Sequence, residues 1–346
     1  MSVSMLVVGT VIGAGFASGR EVVSFFGAVP NMFAALIAGV LVFGCSVLFL
    51  FVGRRVKKDD IGEVNGAVFG KIRPIADIFV LFNSITVLGA MLAGTDSLAA
   101  EFIDIRPLAS IVLGVICAVV AVNGLNGVIK ANAVLVPVMI VFIAVNCLMA
   151  IDYPFAPASS PIKPYSIILY VSMNMILGGG VLTTVHHLSP REIILSSAVA
   201  AVIIAGLLTV IMGALRSSSA ALADMPMLLI ALKSGKPMYF IALPVIALSI
   251  FTTMLSAFKA LYDYIIGFIK YKWIAAGLVL IAGMAVGVFG FSTVVGKIYP
   301  ITGIVGLIYL AFNLAYLIKS RVKRKVRRGV KKVKTKIVRR KLRRTA

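Results

Sequence analysis

The chain has 346 residues, of which 61% are hydrophobic and 13% charged, and its mean hydropathy is +1.08. Soluble domains carry roughly 25% charged residues, so an ordinary water-exposed globular surface is excluded. The net charge of +22 is a local property: residues 319–346 hold 16 of the 34 Lys and Arg and no acid, which leaves 18 basic against 12 acidic residues elsewhere.

Apolar runs of about 20 residues, the length that crosses a bilayer's hydrocarbon, recur along the chain. Lipid offers an open backbone no partner, which selects helices, and the alternation of a barrel strand is absent. The pattern predicts ten helices at 2–27, 32–53, 74–98, 107–123, 128–150, 165–187, 193–216, 238–266, 272–290 and 298–318, with Pro and Gly at many junctions. The apolar stretch Met225–Leu232 is too short to span and reads as a re-entrant or interfacial helix. Cys45, Cys117 and Cys147 lie inside apolar runs, with neither a disulfide framework nor a metal-ligand spacing. Lys and Arg are more frequent in the loops on the side of the N-terminus, which predicts cytoplasmic N- and C-termini in a bacterial inner membrane.

The first span reads GTVIGAGFASGRE over residues 9–21, and the sixth reads MILGGGVLTTVHH over 175–187. Each carries a glycine cluster near mid-membrane: Gly13 and Gly15 in one, Gly178, Gly179 and Gly180 in the other. Each glycine weakens a helix interior by about 1 kcal/mol relative to alanine. A broken backbone is tolerated in lipid only where it faces protein or a wet cavity. The two spans hold equivalent places in two halves of five helices, and five is odd, so the halves insert with opposite orientation. Paired interrupted segments of this kind mark the inverted-repeat transporter plan. The reading divides the chain into a transmembrane domain, 1–318, with repeats at about 1–150 and 165–318, and a basic tail, 319–346. A half-helix N-terminus would attract an anionic group and a half-helix C-terminus a cation, which suits a zwitterion. Close helix packing through Gly9-xxx-Gly13 and Gly15-xxx-Gly19 is the competing explanation.

Residues 9–27, GTVIGAGFASGREVVSFFG, resemble the opening helix of the bacterial YkvI-type amino-acid permeases. That family is distantly related to the amino acid–polyamine–organocation superfamily, which has the LeuT fold. The resemblance implies an all-α, polytopic secondary transporter for an amino acid or a related solute, working by alternating access and coupled to sodium or protons. Substrate would then bind at Gly13, Ala14, Gly15 and Phe16, at Gly178, Gly179 and Gly180, and at Asn83 on the third span. In related transporters an arginine near Arg20 helps close the outer gate. The tenth span has no acid to pair with it here; Asp96 or Glu101, at the outer end of the third span, could serve instead, and Arg20, Glu21 and Asp96 are the gating candidates. Thr252 and Thr253, with Ser256, match in type and helix the hydroxyls that hold sodium in related proteins, where oxygen ligands suit a hard cation. The same hydroxyls can equally bond back to their own helix.

Lys259 could titrate in place of sodium, or pair with Asp263 one turn on. Thr10, Ser18, Ser84 and Asn174 are further polar groups at membrane depth, and His186 and His187 end the sixth span. No catalytic motif is present and no resident cofactor is expected. In the tail, Val322, Val326, Val330, Val333, Ile337 and Leu342 recur at near-helical spacing between basic residues. This predicts an amphipathic helix on anionic headgroups, with RNA binding as the weaker alternative. A channel, or a membrane scaffold acting through this tail, are the competing functions.

Overall fold

Glycine decides the shape of the first span. The computed structural model describes residues 3–123, 126–151 and 157–342, and there the segment forms three helices: α1 (Val3–Val11), α2 (Ala14–Ala17) and α3 (Arg20–Phe26). Gly13 opens α2 in extended backbone, with φ −105° and ψ −171°. Gly19 opens α3 at φ +79°, a left-handed geometry that costs glycine nothing and other residues a steric clash. Carbonyls freed at such joints need new partners. Ser18 O finds one in the N–H of Met227, 2.9 Å away and more than 200 residues later in the chain.

The second span is α4 (Phe33–Val56), followed by the short α5 (Ile61–Phe69) and the third span α6 (Arg73–Ala99). Then come α7 (Leu108–Asn123), α8 (Asn126–Ala150), α9 (Pro164–Thr184) and α10 (Pro190–Arg216). The short α11 (Pro226–Ser234), α12 (Lys236–Ile265) and α13 (Lys272–Gly287) follow. The tenth span is composite: α14 (Phe291–Thr293), a π-helical turn over Val294–Ile298, and α15 (Tyr299–Leu342). Proline occupies the first turn of α6, α9, α10, α11 and α12, where its missing N–H is not needed and its fixed φ suits the helix.

Five described helices are long and apolar enough to cross a membrane alone, and α9 makes a sixth span as a pair, Pro164–Ile176 and Gly178–Thr184, bent by 51°. Leu108–Asn123, Val134–Ala150 and Lys272–Gly287 are shorter apolar helices. With the broken first segment, these helices fall at the ten positions where spans are expected. The sixth span is interrupted by a bend just before its glycine triplet, whereas the first is unwound. Large apolar side chains such as Val40, Val202 and Ile281 face outward, as a lipid-facing belt requires.

The packing is reciprocal between the halves. The first span lies on the seventh (α1 on α10), and the sixth lies on the second (α9 on α4). The fourth lies on the eighth (α7 on α12), and the ninth on the third (α13 on α6). The two short helices also occupy corresponding links, α5 after the second span and α11 after the seventh. Helix α11 is the short apolar segment expected between the seventh and eighth spans, and it packs against α8 and α12. The backbone of α15 runs helically through Leu342, 44 residues and about 66 Å at 1.5 Å per residue, about twice the hydrocarbon thickness. The expected amphipathic pattern of the tail concerns side chains from 321 onward, and residues 343–346, that lie outside the described residues.

One polar network ties three elements together at one end of the bundle. Tyr309 of α15 donates to Asn65 Oδ1 of α5 at 2.8 Å, Asn65 Nδ2 donates to Asp77 Oδ1 at 3.3 Å, and Arg73 Nε donates to Asp77 Oδ2 at 3.3 Å. Tyr309 and Asn65 are both buried. Tyr309→Phe leaves Asn65 Oδ1 buried without a donor, so it should cost about 1–3 kcal/mol. A lowered melting temperature of the detergent-solubilised protein is the readout.

Candidate functional site

The joint in the first span and the bend in the sixth open onto one cavity of about 520 Å³. Gly13, Ala14 and Gly15 line it from α1–α2, Asn174 and Gly178 from α9, Asn83 from α6, and Thr252, Thr253 and Ser256 from α12. The first and sixth spans touch here. A Cβ added at Gly178 would stand 2.8 Å from both Cγ2 and Oγ1 of Thr10, closer than real atoms approach. An apolar wall of Val87, Met91, Val136, Met139 and Met173 faces the polar groups.

The glycines that the sequence groups by span separate residue by residue in the structure. Gly178 faces the cavity and the first span. Gly179 faces the Phe49 ring of α4, and Gly180 faces Ile61 of α5. Successive helix positions are about 100° apart, so three consecutive glycines cannot share one face. Phe16 is wholly buried in the core and does not line the cavity. Thr10 and Asn174, noted only as polar groups at depth, do line it.

The gating candidates separate. Arg20 turns away from the cavity, and its Nη1 donates to the carbonyls of Ala221 and Ala223, each at 3.2 Å. Asp224 lies near enough to act on its charge. Asp96 accepts from the Ser110 N–H at 2.9 Å and so ties the third span to the start of the fourth, not to Arg20. Asp224 is the residue the sequence did not single out. It accepts from Ser97 Oγ of α6 at 3.1 Å and from Ser292 Oγ of α14. It thereby draws the third and tenth spans to the linker that holds Arg20. Glu21 behaves differently from Arg20: its side chain is 5% exposed and lines the cavity.

The hydroxyls of α12 divide between the two expected behaviours. Thr252 donates to Ser249 O at 3.2 Å and Ser256 to Thr252 O at 2.9 Å, both within the helix. Thr253 reaches across and accepts the Ala14 N–H at 3.3 Å. Thr252, which donates, keeps its lone pairs, and Thr253 keeps the one that the Ala14 N–H does not use, so both retain oxygen atoms able to bind a cation. No group of three or more His, Cys, Asp or Glu that could hold a metal ion occurs among the described residues. Lys259 is paired with Asp263 on its own helix and lies outside the cavity lining. His186 meets Asp59 at 2.9 Å, joining the loops that follow the sixth and second spans.

No protein-family model matches the chain. It is 26% identical over 325 residues to the "uncharacterized membrane protein YkvI" of Bacillus subtilis (strain 168), a match covering 88% of this chain and 92% of that one. It is 25% identical over 336 residues to the "uncharacterized protein YyaD" of the same organism, covering 92% and 97%. Among solved structures it matches MhsT in complex with L-phenylalanine with a TM-score of 0.58, at 14% identity and 91% coverage of each chain. The chain therefore has an all-helical, LeuT-like membrane fold and is similar over most of its length to the YkvI and YyaD proteins.

Proposed function

We propose that the protein is a secondary transporter that moves an amino acid or a related small solute by alternating access. The observation that carries this reading is the meeting of the unwound first span and the bent sixth span at one internal cavity. Irregular backbone at membrane depth is expected where it lines a solute site. The reciprocal packing of the halves supports an inverted repeat of residues 1–150 and 165–318, in which one pair of spans rocks against the other around a fixed site. The amino-acid class is supported by the MhsT complex with L-phenylalanine and by a cavity that offers both polar groups and an apolar wall. Thr252 and Thr253 are the candidate ligands for a coupling sodium ion, with protons as the alternative driving ion.

Uptake by proteoliposomes across a panel of amino acids, under imposed sodium or proton gradients, is the test. We expect accumulation of at least one of them that collapses when the correct gradient is dissipated. A folded sample that accumulates none of the panel overturns the substrate class.

In this reading both termini are cytoplasmic and the basic tail lies against anionic headgroups. Removing residues 321–346 should leave uptake per inserted molecule within about twofold in neutral liposomes, since each basic residue contributes about 1 kcal/mol to anionic surfaces and not to neutral ones. Loss of all uptake on truncation would instead favour a protein that works through its tail.

A further inference from the structure

Glu21 is in an unusual position for an acid. It belongs to α3, the last piece of the first span, yet its side chain is 5% exposed and lines the cavity. It presses against the joint: a Cβ at Gly15 would stand 2.6 Å from Glu21 Cδ. The Asn174 amide of α9 lines the same cavity but donates to Tyr170 O at 3.0 Å, and Glu21 Oε2 has no partner. A buried carboxylate is expensive unless a cation or several donors meet it.

No such cation comes from the described residues. Arg20, the next residue back, turns Nη1 to the carbonyls of Ala221 and Ala223 while its Nε has no partner, and it does not line the cavity; Lys259 is held by Asp263. No Lys, Arg or His is found among the cavity-lining residues. A second unpartnered acceptor, Asn83 Oδ1, lies on the same cavity, and the Asn83 side chain is 2% exposed. Ser249 Oγ is a further buried atom without a partner on this cavity, and a hydroxyl can donate or accept. The Ala14 N–H, the amide freed by the first joint, is already given to Thr253 Oγ1.

We propose that the cavity takes a solute bearing an ammonium group, which Glu21 Oε2 and Asn83 Oδ1 receive, with an apolar body lying against Met91, Met139 and Met173. This rests on the transporter reading and names the chemistry that its site selects. The ammonium supplies donors only, which is what two orphan acceptors require, and charge-assisted bonds of this kind are about twice as strong as neutral ones. The amine, more than the carboxylate, should decide which solutes bind.

The test uses the full chain in detergent and two matched sets of ligands. L-leucine is compared with 3-methylbutylamine and 4-methylpentanoate, and L-phenylalanine with 2-phenylethylamine and 3-phenylpropionate. Binding is read by titration calorimetry and by the shift in melting temperature, since a ligand that binds only the folded state must raise it. In at least one set the two amine-bearing members should bind and the carboxylate-only member should bind at least tenfold more weakly. Glu21→Gln, which keeps shape and removes charge, should weaken the amines at least tenfold. The wild-type comparison stands even if that variant fails to fold. Equal binding of the carboxylate-only members, amine affinity unchanged in Glu21→Gln, or no binding by any of the six overturns the assignment. If another solute is accumulated by proteoliposomes in that event, transport survives and the amine assignment alone falls.

Discussion

Gly178→Leu should reduce proteoliposome uptake to the level of empty vesicles, while Gly180→Ala should leave it nearly unchanged. Even a single Cβ at 178 would press on Thr10, with its Cγ2 and Oγ1 at 2.8 Å. Thr10 is β-branched and donates to Val7 O at 2.7 Å, so its rotamer has little freedom to yield. The first and sixth spans would have to part, or the larger side chain would fill the cavity between them. Two opposing effects set the stability of the variant. Leucine is a better helix former than glycine by somewhat less than 1 kcal/mol, and overpacking costs about 1–3 kcal/mol, so a modestly destabilised but folded protein is expected. Gly180 is the internal control, because its Cβ would meet Ile61 at no less than 3.4 Å, an ordinary contact. Gly179→Leu would be a poor test, since it drives into the Phe49 ring and would fail through packing rather than through the site. Equal uptake by wild type and Gly178→Leu would remove the bend from the mechanism.

The same triplet shows where sequence reasoning stops. That the first and sixth spans are special was legible, because glycine clusters inside apolar runs are costly and recur five spans apart. Which glycine faces the cavity was not, because that depends on the helical phase of α9 relative to its neighbours. Glu21 was misjudged for a related reason. Each joint in the first span resets the phase, so the face of α3 cannot be extrapolated from α1, and Gly19 at φ +79° supplies the turn that sends Glu21 inward while Arg20 faces the linker. Helix α5 was missed because IGEVNGAVF is short and carries too little apolar periodicity to stand out, although Asp60 accepts from the Glu63 N–H at 2.9 Å in a recognisable N-cap. Asp224 was missed because its partners, Ser97 and Ser292, come from distant spans, and no local pattern announces such a junction.

The second large effect concerns stability: Gly306→Val should lower the melting temperature in detergent by about 2–5 °C. Gly306 lies where α15 passes α9, and a Cβ there would stand 2.6 Å from the carbonyl carbon of Ser172 and 3.1 Å from Ile176 Cγ1. The first obstacle is backbone, which no side-chain rotation can relieve. One turn earlier, Gly303 makes the same approach: its Cβ would be 2.6 Å from Leu169 O, and its own carbonyl accepts from Ser172 Oγ at 2.7 Å. Between membrane helices there is little hydrophobic drive, so close packing and such interhelical bonds carry the association. Pushing the helices apart loses both. The cost of overpacking alone is about 1–3 kcal/mol, and the Ser172–Gly303 bond adds about 0.6 kcal/mol at the membrane average. Gly277→Ala is the matched control, because nothing lies within 4 Å of a Cβ at that position. There the gain in helix propensity should act alone and leave the melting temperature equal or slightly higher. The seam also fixes the sixth span against the tenth, just before the bend at residue 177. A Gly306→Val protein that still folds should therefore lose uptake along with stability, whereas unaltered melting and uptake would mean that the two helices do not meet as closely as this seam requires.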